Sequence, residues 1–296
     1  PPQFSVVTDE NTALLEGLFY HTPARLNVGP CFAIMAPDNR ILAELPSSSE
    51  NHDVEAVLIG GSQNYYHCLL DWFSRLSVIA ANPALADMPL VVSANMPAAA
   101  VEFIRLLGME GNRLITLSDQ PARFAKLWLP SLAHGRYGFT SPKYLEFLET
   151  RLLSKFRDRG RPGRRRLYIS RRGGVTRRIL NERELVEALR KLDFEIVHGE
   201  TLSAREQLSL FGDAEIIVGV IGAGLTNILA APTNTAVIEL THSHSLRVNI
   251  EVLAGLLGHR FTRLLGRRDS QGKTTPAHSD FVVPVDKLVE TITAQI

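Results

Sequence analysis

The second half of this chain repeats one short theme, and that theme constrains the fold more than anything else in it. Apolar runs of five to seven residues recur: "RLYIS", "FEIVH", "AEIIVGV", "AVIEL" and "RFTRLL". Between and after them lie "NERELVEALRKL", "SAREQLSLFG", "GAGLTNILAA", "LRVNIEVLAGLLG" and "PVDKLVETITAQ", most with apolar positions at helical spacing. The short runs are rich in β-branched residues and read as buried strands. Parallel strands need a crossover connection, usually a helix. Strand and helix in strict alternation therefore predict an α/β fold with a doubly wound parallel sheet. Asn181, with Glu184 three residues on, reads as a capping box at one helix start, and Ser203 opens the next helix.

The first half is less regular. "CFAIMAPDNRILAEL" places a Pro-Asp-Asn turn between two apolar runs and reads as a hairpin. "AVLIGG" (56–61) is a buried strand, and "NYYHCLLDWFSRL" (64–76) an amphipathic helix. "MPLVVS", "RLITLS" and "FAKLWLPS" are further strands, with a helix over 97–107. "SPKYLEFLETRLLSKF" is a helix with Ser141 as its cap and Pro142 at its first position. "RDRGRPGRRR" then breaks every pattern and reads as an interdomain linker. Two α/β domains are expected, 1–158 and 159–296, with the closing helix a candidate to pack back on the first.

Composition narrows the function classes. Hydrophobic residues are 45% and charged residues 21%, a globular balance rather than a disordered one. The formal net charge of +1 gives no overall field toward nucleic acid or lipid. The basic run from Arg151 to Arg190 lacks the interleaved aromatics of a single-strand binder. Cys31 and Cys68 cannot build a disulfide framework, which suits a reducing compartment. No apolar run reaches the roughly 20 residues of a membrane span, and no signal peptide is evident. The chain begins Pro1-Pro2 rather than with Met, so an upstream leader or anchor would not be visible in it.

Ligands of open α/β sheets bind outside the carboxyl ends of the strands. "RLYIS" ends in Ser170, Arg171 and Arg172, whose guanidiniums suit bidentate binding of phosphate oxygens. Arg177 and Arg178, further on, read as a solvated basic loop. "AEIIVGV" runs into Gly222, Ala223, Gly224, Leu225, Thr226 and Asn227, a Gly-rich turn opening a helix and hence an anion site. Glu239, near the end of "AVIEL", could hold ribose hydroxyls. That set also resembles a nicotinamide site, but the fingerprint's third small residue is Asn227 here. His242 and His244 are candidate rim contacts. In the first half, His67, Asp71 and Arg75 are four apart and share a helical stripe. A carboxylate-oriented His is a ready general base, Asp71 could serve instead, and an ordinary surface ion pair would give the same spacing. A metal is less favoured, since no third and fourth ligands accompany His67 and Asp71.

Taken together, "NYYHCLLDWFSRL", "RLYISRR", "LNERELVEALRKLDFEIV" and "LSAREQLSLFGDAEIIVGVIGAGLTNILAAPTNTAVIEL" resemble the family 61 glycosyltransferases, the bacterial capsular-polysaccharide type, in order and in spacing from about 64 to 240. The resemblance implies a GT-B architecture, two Rossmann-like domains facing a central cleft. It implies inverting sugar transfer from a nucleotide-sugar donor to a glycan or other hydroxyl acceptor, with no cofactor, no obligatory metal and no nucleic acid. The second domain would hold the donor phosphates and, through Glu239, the nucleoside. The first would carry His67 or Asp71 as base, supported by Asn64, Tyr66 and Arg75. A bacterial cytoplasmic setting follows, with peripheral membrane association open and the oligomeric state unassigned. Two positions depart from the family pattern. Val220 and Ile221 stand where Pro and His are common, and Cys68 where Trp is. The alternatives are a nicotinamide-dependent oxidoreductase and a catalytically impaired nucleotide-sugar binder, the latter motivated by Ile221.

Overall fold

A computed structural model of the chain describes residues 49–109, 111–118, 120–133, 140–157, 163–243, 248–269 and 278–296, with short strand pieces before residue 44. The chain divides into two compact units, Pro1–His134 and Gly135–Ile296. The helix over 142–151, expected on the N-terminal side of the boundary, therefore groups with the second unit.

The first unit holds four parallel strands: β1 (Glu50–Gly60), β2 (Leu90–Ser93), β3 (Leu114–Leu117) and β4 (Ala122–Trp128). Their spatial order is β4-β1-β2-β3. The chain moves outward from β1 to β3 and then returns to the other side of β1, so the order reverses between β1 and β4. After β1 comes a π-helical turn, His67–Trp72, which runs into α1 (Ser74–Ala80). α2 (Ala98–Ile104) follows β2 and is prolonged by a second wide turn to Met109. The strands of the expected hairpin, Phe32–Met35 and Ile41–Ala43, do pair antiparallel. Its Pro-Asp-Asn turn lies outside the described residues.

The second unit opens with α3 (Pro142–Arg151). Five parallel strands follow: β5 (Arg165–Ile169), β6 (Phe194–Val197), β7 (Ala214–Val220), β8 (Ala236–Thr241) and β9 (Arg260–Leu265). Their order, β6-β5-β7-β8-β9, reverses between β5 and β7. The connecting helices are α4 (Glu182–Arg190), α5 (Ala204–Gly212) and α6 (Asn249–Leu256), and α7 (Val285–Thr293) closes the chain. β7 and β8 are buried almost throughout, because helices cover both faces of a parallel sheet. One core joins Tyr168, Val218 and Ile238 of the sheet to Leu185 and Leu189 of α4 and to Val285, Leu288 and Ile292 of α7. The closing helix thus packs on its own unit's sheet beside α4. Its apolar residues recur at three and four, which gives it one face to bury.

Ser203 forms the expected cap, and in full: its hydroxyl accepts from Glu206 N–H while the Glu206 carboxylate accepts from Ser203 N–H. Asn181 does not cap α4. Its Oδ1 accepts from Val283 N–H at 2.9 Å, while Nδ2 donates both to the Val283 carbonyl at 2.9 Å and to Glu184 Oε2 at 3.1 Å. A tertiary contact has replaced the cap but not the pairing with Glu184. The supposed linker is only partly described, since 158–162 lie outside the described residues. The arginines after it are not loose. Arg164 precedes β5 and Arg165 and Arg166 begin it; they pair with Asp213, Glu195 and Glu215. Among the described residues no helix is long and apolar enough to cross a membrane.

Candidate functional site

Both sheets present their order reversal at the carboxyl ends of the strands, where an open α/β sheet leaves a crevice. In the second unit that crevice lies beyond Ile169 and Val220. Ser170, the first residue out, is 6% exposed. Its hydroxyl donates to Glu182 Oε1 at 2.7 Å and accepts from Arg172 N–H at 3.2 Å. The same Glu182 oxygen accepts from Tyr168 OH at 2.9 Å, and burial together with that carboxylate pushes the phenol's pKa up. Ser170 therefore shapes the loop through internal bonds.

Arg171 is the anomaly of this end of the sheet. Its Nε donates to the Thr176 carbonyl at 2.9 Å. Among the described residues no carboxylate pairs with it, although it is partly buried, and burial lowers its pKa. The exposed Arg172 likewise has no carboxylate partner among them. At the opposite end of the same strand every arginine is matched, as described above. Desolvating a cation without a counter-ion is costly, so this corner is suited to an anion.

Gly222 faces Arg171 across the crevice. Its φ is +152°, and a Cβ there would stand 2.7 Å from Arg171 Nη1 and 3.7 Å from Arg177 Nη1. Only glycine leaves that space open. Arg177, read from the sequence as solvated, donates from Nη1 to the Ile221 carbonyl at 2.8 Å. Arg178 does behave as a surface residue, with its guanidinium on Asp280 Oδ2 at 2.7 and 2.9 Å. Nothing in the spacing separated the two. The signal was only that Arg177 shares the β5–α4 loop with Arg171.

The segment after Gly222 differs from expectation. Ala223–Ala230 is a run of 3₁₀ turns, not an α-helix. Leu225 N–H is already given to the Gly222 carbonyl at 3.1 Å. Ala223 and Gly224 stay partly or fully exposed, whereas Leu225, Thr226 and Asn227 are buried. Asn227 Nδ2 donates to Gln207 Oε1 at 2.7 Å, and Gln207 in turn holds the Gly199 and Leu202 carbonyls. Asn227 thus anchors the turn to α5. Thr226 Oγ1 is buried without a hydrogen-bond partner among the described residues. Ile221 packs in the sheet core.

Glu239 is fully buried on β8 opposite Arg263 of β9. Arg263 Nε donates to its Oε1 at 2.8 Å and reaches Glu251 at 3.2 Å. Burial pushes the Glu239 pKa up to about 7, with Arg263 opposing it, and Oε2 has no hydrogen-bond partner among the described residues. His242 follows β8 with its ring edge-on to Phe281 at 5.6 Å. Burial, then Arg268 and Arg177, hold its pKa below the usual imidazole range. His244 lies outside the described residues.

In the first unit the crevice lies between β1 and β4. β1 ends in Gly60, φ +92°, where any Cβ would enter the Trp72 ring at 2.3 Å. The indole thereby lies flat against the strand end and fixes the π-turn above it. Cys68 closes the loop: its thiol donates to the Ser62 carbonyl at 3.0 Å, and burial pushes its pKa to about 11. Asn64 makes a local turn, its Oδ1 accepting from Tyr66 N–H at 3.0 Å. The buried Tyr66 ring meets the His67 ring edge-on at 5.5 Å.

His67 and Asp71 do meet, Nδ1 to Oδ2 at 2.5 Å, with side chains 19% and 3% exposed. Arg75 does not stay on their stripe. It is fully buried, donating from Nε to the Pro130 carbonyl at 2.7 Å and from Nη1 to the Ile59 carbonyl at 3.0 Å. It ties the carboxyl ends of β1 and β4 together across the order reversal, with its guanidinium 5.3 Å from the Trp72 ring centre. The cause is the π-turn, seen in the Phe73 N–H to Cys68 carbonyl bond at 2.9 Å. One extra residue per turn rotates everything after it and carries Arg75 into the core. Such turns are frequent at functional sites. Among the described residues no three His, Cys, Asp or Glu side chains cluster as metal ligands.

Comparison with known proteins agrees with this geometry. The sequence profile of the family described as Glycosyltransferase 61 matches residues 65–238, more than half of the chain. The chain is 32% identical over 107 residues to a beta-1,2-xylosyltransferase of Arabidopsis thaliana, covering 31% of this chain and 20% of that protein. It is 27% identical over 210 residues to an EGF domain-specific O-linked N-acetylglucosamine transferase of Drosophila melanogaster, covering 62% of this chain and 39% of that one. The matched part is thus well under half the length of either relative. The profile match takes in the His67–Asp71 turn, Arg171 and the Gly222 turn alike, and on it this chain belongs to glycosyltransferase family 61.

Proposed function

We propose that the chain transfers a sugar from a nucleotide-sugar donor to a glycan or other hydroxyl acceptor, inverting the anomeric centre without an obligatory metal. The observation that carries this is Arg171: a partly buried guanidinium with no carboxylate partner among the described residues, facing a glycine at the order reversal of a parallel sheet. Donor phosphates supply the missing charge. The first unit supplies the base, in a GT-B arrangement of the two units. Family membership favours this reading over nicotinamide chemistry.

The acceptor oxygen attacks the anomeric carbon. The bond from that carbon to the donor phosphate breaks, and the nucleoside diphosphate leaves with the electron pair. The acceptor proton goes to His67. With its Nδ1–H donated to Asp71, His67 keeps Nε2 as the accepting atom. Asp71, nearly buried, orients the ring and balances the imidazolium. Arg171 and the open backbone at Gly222 stabilise the departing phosphates, as in an oxyanion site. Glu239, buried and held by Arg263, would tune the pocket beside the nucleoside more than grip it.

The two relatives are named for different sugars, xylose and N-acetylglucosamine, so their names do not fix the donor sugar of this chain. A role in surface polysaccharide synthesis is the reading we favour for the acceptor. Transfer and donor hydrolysis over a nucleotide-sugar panel test the proposal, comparing His67→Ala, Asp71→Asn and Arg171→Ala with wild type. Full activity in all three variants would sink this assignment of the site.

A further inference from the structure

We infer that the nucleobase of the donor seats in a cavity at the carboxyl end of β9, where Arg267 reads an oxygen-bearing base such as uracil or guanine. The inference rests on the phosphate site proposed above and extends it to the other end of the nucleotide. The cavity measures about 360 Å³ and is lined by Leu265, Gly266, Arg267, Val282 and Pro284. That volume lies within the range of small-molecule clefts, and apolar walls with few polar groups are their usual make-up. Its place fits the reach of a nucleoside diphosphate. Leu265 is in register with Thr241 at the end of β8, and Leu240 of β8 is in register with Val220 of β7. Gly222 follows β7, so the cavity lies two strands from the phosphate corner, about 10 Å at the usual spacing of neighbouring strands. A base and its pyrophosphate are separated by a ribose, which spans that gap over the end of β8. The walls are held in place. Gly266 donates its N–H to the Thr241 carbonyl at 2.7 Å, and Arg267 and Arg268 pair antiparallel with Val282 and Phe281. A Cβ on Gly266 would stand 2.5 Å from the Val282 carbonyl oxygen and 2.6 Å from the Phe281 ring, so glycine lets β9 turn into this arm. Arg267 is exposed, and no carboxylate pairs with it among the described residues. A guanidinium offers donors and no acceptor. It therefore suits an acceptor edge, such as uracil O4 or guanine O6 and N7, whereas adenine presents an amino donor beside its N7.

Calorimetric titration of uridine, guanosine and adenosine diphosphates and of inorganic pyrophosphate into the full chain tests this, with thermal melts of each variant. Wild type should bind the better of the uridine and guanosine diphosphates about tenfold more tightly than pyrophosphate or adenosine diphosphate, the scale of one good base contact. Arg267→Ala should lose about tenfold for that nucleotide and nothing for pyrophosphate. Val282→Phe, which fills the cavity from its wall and removes no charge, should show the same split. Arg268→Ala should match wild type, since successive strand residues point to opposite faces. Unchanged nucleotide affinity in Arg267→Ala overturns the inference. So does an equal loss for pyrophosphate, which would mark a general phosphate contact, or an equal loss in Arg268→Ala, which would mark a diffuse field. Wild type that binds pyrophosphate as tightly as every nucleoside diphosphate overturns the inference and leaves the phosphate corner standing. Wild type that binds none of these probes overturns both. Arg267-dependent nucleotide binding without sugar transfer from any donor leaves the inference standing and overturns the proposed activity instead.

Discussion

Replacing Asp71 by Asn probes the base most cleanly, because the two side chains are nearly isosteric and Asp71 is almost buried. The carboxylate lies 2.5 Å from His67 Nδ1, which puts its charge about 4 Å from the centre of the imidazole ring. At an effective dielectric of about 20, a unit charge at that distance stabilises an imidazolium by about 4 kcal/mol. Water reaches His67, whose side chain is 19% exposed, so part of that is screened. A loss of roughly 2.7 to 4 kcal/mol corresponds to about 10² to 10³ in rate. The loss should fall on kcat, since the charge develops on the ring only as the acceptor is deprotonated. The assay is single-turnover transfer from the best donor of the panel, with circular dichroism to verify the fold. An Asp71→Asn variant within about threefold of wild type in kcat would refute the reasoning, because no comparable drop in barrier would then trace to the pair.

Two further outcomes follow from the same geometry. Arg75→Met should destabilise the first unit by about 3 kcal/mol in urea unfolding, since it leaves the buried Ile59 and Pro130 carbonyls without these donors; a cost under about 1 kcal/mol would show that the β1–β4 tie is unimportant. Glu239 has a folded pKa raised to about 7 from an ordinary 4.5, so the unfolded chain sheds this proton first. Wild type should therefore lose up to about 3 kcal/mol of stability from this group as pH rises through that window, a dependence that Glu239→Gln flattens; parallel stability-pH curves for the two would contradict it.

How much of this was written in the sequence differs between elements. The strands and helices of the second unit were legible because their periods are clean and each is bounded by a turn. The position of Arg171 was legible too, since a strand's end fixes where the next residues point. The helical wheel failed at Arg75. It assumes a constant 3.6 residues per turn, and the π-turn at His67–Trp72 breaks that assumption with no mark in the composition. The Gly222 segment misled for a related reason: a Gly-rich start resembles a helix entrance, but a run buried from Leu225 onward folded as 3₁₀ turns. Asn227 took a tertiary role on Gln207, and Asn181 binds Val283 as well as Glu184, contacts that the local pattern does not encode. Arg177 and Arg178 are neighbours with opposite fates, decided by Ile221 and Asp280.

The central claim is that donor phosphates occupy the space between Arg171 and Gly222. Calorimetric titration of uridine and guanosine diphosphates, with NAD as the competitor class, into wild type and Gly222→Ala tests it directly. A Cβ at Gly222 would intrude within 2.7 Å of Arg171 Nη1. The account predicts that wild type binds a nucleoside diphosphate in preference to NAD and that Gly222→Ala, still folded, loses that binding. Equal nucleotide affinity in the two proteins, or preferential binding of NAD, would contradict it.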